Sequence, residues 1–263
     1  MNNNLIYVYC LVNSPPDSAV FAESEGLRSI PIDDFFVMVR YVSEDDFSEE
    51  NFKKHLSDYE WLENNAREHV EVINRIMAYN AVIPFKFGTI FQAEPGLKQF
   101  ITDYSDSLKE NFHHTGGREE WSVKMFCDRT TLCKQIDELS EEAAALEKQI
   151  MASSPGRAYL LKRKKTDLIE NEMDRISKKY GQEYFDEFKA LSESTNLNNL
   201  LPKEFTGRED TMILNATFLV DKSNVTDFKE TLEKLKKKDG NSGFLLEITG
   251  PWPPFSFISI KEK

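Results

Sequence analysis

The stretch Gly250-Pro251-Trp252-Pro253-Pro254-Phe255-Ser256-Phe257 constrains the fold more than any other part of this sequence. Three prolines in four residues hold φ near −65° and remove three backbone donors, which suits neither a helix interior nor a central strand. A rigid corner is predicted, following a strand over 244–248. Trp252, Phe255 and Phe257 need packing partners. The expectation is a fold-closing corner whose last strand, over 255–260, returns to a sheet begun by residues 121–127. The alternative is a corner that presents its rings to a partner.

A chain of 263 residues is long enough for two domains of ordinary size. Acidic residues outnumber basic ones by 45 to 33, giving a net charge of −12. That balance argues against nucleic acid or an anionic lipid membrane as partner and points to protein. No run of about 18 apolar residues occurs, and Met1-Asn2-Asn3-Asn4 lacks the basic start of a secretory signal, so a cytoplasmic protein is expected. Cys10, Cys127 and Cys133 sit in or beside apolar runs and read as small core residues. With His55, His69, His113 and His114 they make no zinc spacing, so neither metal nor cofactor is expected.

Residues 5–12 and 35–42 read as buried strands, with 26–31 between them as a linker or hairpin edge. Ser57 and Glu60 form a capping-box pattern ahead of an amphipathic helix on which Leu62, Ala66, His69, Ile73 and Ile76 recur. His69 lies near its apolar stripe and reads as a hydrogen-bonded boundary residue. An apolar run over 82–91 is interrupted by Pro84 and by Gly88, which marks a turn, a bulge or a close backbone approach. Lys86, alone among rings, either snorkels out along Phe85 or Phe87 or meets an acidic group of a partner. A helix over 95–112 ends at His113-His114-Thr115-Gly116-Gly117, which sets a domain boundary between 116 and 117.

The second domain, 117–263, opens with strict alternation of Trp121, Val123, Met125 and Cys127. A helix over 132–150, a break at Ser153-Ser154-Pro155-Gly156 and a helix to 191 with Pro155 at its first position predict a long antiparallel hairpin over about 130–192. The second arm reaches about 55 Å, so Gly181 bends it or part of the hairpin projects. Residues 196–199 read as loop, 212–220 as strand, 225–238 as helix and 239–241 as its stop. The order of elements is a split βαβ arrangement of the ferredoxin-like kind. Phosphate-binding glycine loops, nucleophile elbows and zinc-helix motifs are absent, and Glu247, on a strand, points to solvent. A non-enzymatic protein is expected.

Five stretches carry a resemblance. They are Arg67-Glu68-His69 with Ile73; Ile83-Pro84-Phe85-Lys86-Phe87-Gly88-Thr89-Ile90-Phe91; Gly117-Arg118-Glu119-Glu120-Trp121-Ser122-Val123-Lys124; Ser154-Pro155-Gly156-Arg157-Ala158-Tyr159-Leu160; and Leu246 through Phe257. In this order, and over about 5–258, the chain resembles the gas vesicle protein F/L family. It departs at Ser122, where glycine is common, and at Phe255, where tyrosine is frequent. The resemblance implies an α+β protein of two domains, each a modified ferredoxin-like sandwich, that acts as an accessory of gas vesicle formation. It further implies binding to the small hydrophobic major shell protein, during assembly or as a minor shell component, with other accessory proteins as possible partners and location in the cytoplasm or on the gas vesicle.

Candidate partner-binding residues are Lys86, Phe87, Phe91, Trp252 and Phe255, with the exposed side of the hairpin as a further surface. Arg118 and Arg157, beside Trp121 and Tyr159, are expected to tie the hairpin to the sheet, and Gly250, Pro251, Pro253 and Pro254 to form the corner. A small-molecule-sensing module is the alternative function, with a pocket lined by Lys86, Arg118 and Arg157.

Overall fold

A computed structural model describes residues 4–22, 24–136, 140–239 and 242–260. The expectations that rest on Met1 to Asn3, on Leu139 in the first hairpin seam and on Gly240 and Asn241 as a helix stop lie outside these residues. The protein is α+β with two antiparallel sheets. It divides into two compact units, Met1–Glu120 with Pro251–Lys263, and Trp121–Gly250. Residues after the corner therefore cluster with the first unit, whereas the sequence reading grouped them with the second half.

In the first unit, β1 (Asn4–Val12) is central, between β3 (Phe35–Ser43) and β4 (Val82–Pro84), with β2 (Leu27–Ile32) outside β3 and β5 (Ile90–Phe91) on the other end of β1. The 27–32 stretch is thus a true hairpin strand, turning through Asp33 at φ 51°. Residues 5–12 are all buried because both faces of β1 are covered, which is why the strand reads as an unbroken apolar run. Its register with β3 shifts between Val8 and Cys10. Ile6, Val8 and Leu11 pack with Leu97, Ile101, Leu108 and Phe112 on one face, and Tyr7, Tyr9, Cys10 and Val12 pack with Val72, Ile73 and Ile76 on the other. The bulge re-phases the alternation, so an odd-even pattern before it becomes even-odd after it.

The helix Tyr59–Met77 is capped by Asp58, whose carboxylate accepts from the Glu60 and Trp61 amides at 3.1 Å, and not by Ser57 as the capping-box pattern suggested. The expected single helix over 95–112 is two, Glu94–Asp103 and Ser105–Thr115, divided at Tyr104. Short helices Ser18–Ala22, Glu44–Phe47 and Glu49–His55 have too few residues for a periodic signal.

In the second unit, the order is β7 (Ser194–Leu197), β8 (Thr211–Asp221), β6 (Arg118–Cys127), β9 (Phe244–Trp252). The stretch expected as loop at 196–199 contributes to edge strand β7, since Asn196 and Leu197 pair with Thr217 and Ala216. Trp121, Val123, Met125 and Cys127 face the core with Met173, Ile176, Tyr184, Phe185, Phe188, Phe228 and Leu235. Among the described residues, the first hairpin arm includes the helices Arg129–Lys134 and Glu141–Met151, each with its own cap, at Asp128 and Ser140. The second arm, Pro155–Lys189, is continuous over 35 residues, about 52 Å at 1.5 Å per residue. Its buried residues begin only at Glu172. Cys10 and Cys127 are buried as expected, whereas Cys133 is exposed, because its short helix turns that position outward.

The corner differs from its prediction. Strand β9 runs through Pro251 to Trp252, which is tolerated because β9 is the edge of its sheet. Residues Phe255–Phe257 then form a single 3-10 turn, and 258–260 add no strand to the sheet of residues 121–127. Phe255, Ile258 and Ile260 pack instead on the two cores of the first unit.

Candidate functional site

The helix Tyr59–Met77 places His69 under β1, 2% exposed. Its Nε2 lies 2.9 Å from the Phe85 carbonyl and its Nδ1 2.9 Å from Tyr7 Oη. A carbonyl only accepts, so Nε2 carries the proton and donates, and the neutral ring accepts from the Tyr7 hydroxyl at Nδ1. Tyr7 Oη in turn receives the Gly88 amide at 3.3 Å. Burial depresses the His69 pKa against the opposing effect of the Phe85 bond. Burial likewise raises that of Tyr7, against the Gly88 bond.

Rings close the site. Tyr9 stacks on His69 at 5.5 Å, and Tyr7, Phe87 and Phe255 stand at 5.6, 5.8 and 6.4 Å. Both nitrogens are engaged and the neutral form is favoured, so His69 locks the 85–88 segment and the C-terminal corner to the sheet. It is a fully buried hub and not the boundary residue that helical periodicity suggested. Gly88, at φ 80°, is required there, since a Cβ would lie 2.5 Å from the Phe52 ring.

The corner is clamped a second time. Glu120, 5% exposed, accepts the Ser256 amide at 2.9 Å and the Ser256 hydroxyl at 2.7 Å. Burial raises its pKa against both bonds. Asn111 and Ser259 exchange two hydrogen bonds of 2.9 Å, Nδ2 to carbonyl and amide to Oδ1. Neither Glu120 nor Asn111 stood out in the sequence. An acid just ahead of an alternating run and an amide on a helix face carry no local mark of a partner more than 130 residues away.

Of the five expected partner-binding residues, three are held by packing. Phe87 touches Tyr7, Phe52, Trp61 and His69; Phe91 packs on Phe100 at 5.7 Å; and Phe255 lies half-buried on His69. Lys86 is exposed, and Trp252 is 40% exposed. Pro253 and Pro254 are buried, Gly250 has φ 139° and Pro251 is exposed. Arg118 Nη1 donates to the His113 and His114 carbonyls, closing the end of the helix Ser105–Thr115. Trp121 is buried under Lys229 Nζ at 4.5 Å.

Arg157 and Tyr159 do not tie the hairpin to the sheet: both are exposed on the first turns of the helix Pro155–Lys189, ahead of its buried part. Glu247 is exposed as expected and pairs with Arg208 at 2.6 Å. One cleft of the first unit, about 250 Å³, is lined by Tyr7, Tyr9, Arg40, Asp46, Phe47 and Glu68 among others. Its two central charges, Arg40 and Glu68, pair at 2.6 Å. Lys86, Arg118 and Arg157 stand elsewhere, on a loop, under a helix end and at a hairpin tip. Among the described residues, no group of three or more His, Cys, Asp or Glu side chains is placed to hold a metal ion, and no helix is long and apolar enough to cross a membrane.

An apolar surface that sequence reading missed lies after β7. Leu197, Leu200, Leu201 and Phe205 are all exposed, Phe205 at 79%. Leu197 ends β7 and Phe205 lies on the short helix Lys203–Thr206, and the loop between them, which carries Leu200 and Leu201, is pinned. The Asn198 amide donates to the Asn215 carbonyl at 2.8 Å, Asn215 Nδ2 to the Asn199 carbonyl at 2.8 Å, and the Leu201 amide approaches Met212 Sδ at 3.3 Å.

Residues 5–259 match the family described as "Gas vesicle synthesis protein GvpL/GvpF". Gas vesicle protein L of Streptomyces sp. (strain CB03234) is 25% identical over 99% of this chain and 95% of its own length. Gas vesicle protein F of Nostoc sp. (strain PCC 7120) is 24% identical over 73% of this chain and 75% of its own. The fold resembles the crystal structure of the gas vesicle protein GvpF from Anabaena sp. PCC7120, with a TM-score of 0.67 at 21% identity, covering 98% of this chain and 97% of that one. It also resembles GvpF from Microcystis aeruginosa, with a TM-score of 0.64 at 18% identity over 98% and 99%.

Proposed function

The chain belongs to the gas vesicle synthesis protein GvpL/GvpF family, and on that premise we propose that it is a non-enzymatic assembly factor that binds the small hydrophobic shell protein in the cytoplasm or at the growing gas vesicle. The observation that carries this reading is the pinned apolar loop: four large apolar side chains held out to solvent within nine residues. Surface leucines scattered singly need no explanation, but four large exposed side chains within nine residues, about a loop fixed by backbone hydrogen bonds, suit a docking surface. Fixing the loop before binding lowers the ordering cost of association. The net charge of −12 keeps a complex with an aggregation-prone client dissolved. With no nucleotide-binding motif in the sequence, release follows mass action as the client polymerises.

Lys86 and Trp252 remain solvent-facing candidates for a second client contact; Phe87, Phe91 and Phe255 act by holding the first unit together. The ferredoxin-like description of each unit is supported by a shared strand order, second-third-first-fourth along each four-strand path. Association with other gas vesicle accessory proteins belongs to the same reading.

The test is co-purification of co-expressed shell protein with the Leu200→Asp, Phe205→Ser double variant. Retained melting temperature with at least a tenfold loss of bound shell protein is expected. Wild-type recovery of shell protein by that variant would refute the assignment of the loop.

A further inference from the structure

The helical hairpin ends in a basic surface with exposed apolar side chains. None of residues 155–171 is buried, and this half of the long helix stands along Glu141–Met151, tied to it by Lys165 and Glu147 at 2.9 Å. At the tip, Met151, Tyr159 and Leu160 are 77%, 70% and 67% exposed. Between 147 and 165 six basic residues, including Arg157, Lys162 and Arg163, face a single acid, Glu147. The tip is therefore strongly positive on a chain whose total charge is −12, and its exposed apolar side chains lie within the same basic segment.

The complementary surface is on the same chain, in the first unit. Residues 43–60 hold seven acids against two lysines. Glu49 and Glu50 are more than 80% exposed, and Leu56 and Tyr59 are exposed beside them, Tyr59 at 79%. Each surface thus joins one sign of charge to exposed apolar side chains, and the two signs are opposite.

We propose that the hairpin tip of one molecule docks on the acidic 43–60 face of a second copy. The two patches differ, so the contact is heterologous: every bound molecule still offers a free tip and a free face, and association propagates head to tail unless the geometry closes a ring. An anionic membrane is the competing occupant of a basic, apolar tip, but the −12 total disfavours approach of this chain to such a surface. Few large side chains take part, which places the contact with encounters that bury less than about 1,200 Å². It is weak in dilute solution and sensitive to salt, because its charges are exposed and the screening length at physiological salt is about 8 Å.

The experiment is sedimentation velocity on the full chain at about 5 to 200 μM, in ~20 mM and ~500 mM salt, two levels chosen to bracket strong and weak screening. Expected is a sedimentation coefficient that rises with concentration at low salt and is flat at high salt. Two charge reversals are compared: Arg157→Glu with Lys162→Glu and Arg163→Glu at the tip, and Glu44→Lys with Asp45→Lys and Glu49→Lys on the face. All six positions are exposed, so both variants should melt as wild type does. Each alone should remain monomeric, and an equimolar mixture should associate again, since the acidic tip of one meets the basic face of the other. A wild type that stays monomeric at low salt overturns the proposal, as does a reversed variant that self-associates like wild type or a mixture that stays monomeric. Binding of the tip to phosphatidylserine vesicles with no self-association would assign the surface to lipid and overturn it equally.

Discussion

Replacement of His69 tests whether a single buried ring holds the first unit together. His69→Phe keeps most of the volume and the ring contacts, and removes the polar function alone. The Tyr7 hydroxyl then loses its acceptor and the Phe85 carbonyl its donor, both inside the packed cluster. At about 1–3 kcal/mol for each of the two orphaned buried groups, the expected loss is about 2–6 kcal/mol. His69→Ala also forfeits the contacts with four rings and should lose about 4 kcal/mol or more, given the usual 3–5 kcal/mol for truncating a buried aromatic. Either is a large share of the roughly 5–15 kcal/mol that stabilises a domain.

The two compact units make a single unfolding transition an unsafe readout. Native-state hydrogen exchange on peptides from β1 and from 82–91 reports the first unit directly. Acid supplies an independent signature. Burial lowers the His69 pKa in the folded state, so below about pH 6.5 the unfolded chain takes up a proton that the native state refuses. The stability of this unit should therefore fall as pH drops from about 6.5 toward the depressed native value, and that part of the slope should vanish in His69→Phe. Protection in His69→Phe within about 0.5 kcal/mol of wild type, the ordinary scatter of surface substitutions, would refute the hub.

Glu120→Ala should free the C-terminal turn, leaving the Ser256 amide and hydroxyl without their acceptor at a cost of about 1–3 kcal/mol, seen as faster exchange over 253–260. Because the Glu120 pKa is raised in the folded state, its contribution should grow as pH falls from that raised value toward the ordinary carboxylate range near 4.5, opposite in sign to that of His69; comparing wild type with Glu120→Ala across pH isolates it. Gly88→Ala combines a positive φ with a 2.5 Å approach to the Phe52 ring and should destabilise by at least about 1 kcal/mol, read from the same exchange measurement. Arg157→Ala, at an exposed tip, should leave the melting temperature unchanged, within about 0.5 kcal/mol.

Much of the fold was readable from local pattern. Alternation marked Trp121 through Cys127, and helical spacing marked the Tyr59–Met77 and Pro155–Lys189 helices, because burial on one face imposes a period that survives in the sequence. The bulge in β1 was invisible because every residue from Leu5 to Val12 is buried, and a run without exposed positions has no phase to shift. The separate cap at Ser140 was hidden because the apolar spacing from Leu132 and Ile136 to Ala143, Leu146 and Ile150 stays in step across it. The site was half legible: His69, Phe85, Phe87, Gly88 and Phe255 were singled out, but as separate motifs.

By itself the sequence determined the family, through the likeness of its ordered motifs to those of known members; the α+β class, the acidic surface and the stiffness of the proline-rich segment follow from residue type and near-neighbour spacing. Only the tertiary structure decided where that segment goes. Proline restricts φ at its own position and says nothing of the destination, whereas Glu120 with Ser256, Asn111 with Ser259 and Phe255 on His69 are long-range pairings. Those contacts turn the last residues back onto the first unit. Likewise, only solvent exposure could separate rings that close a core, such as Phe87, from the apolar side chains at 197–205 and at the hairpin tip that face solvent.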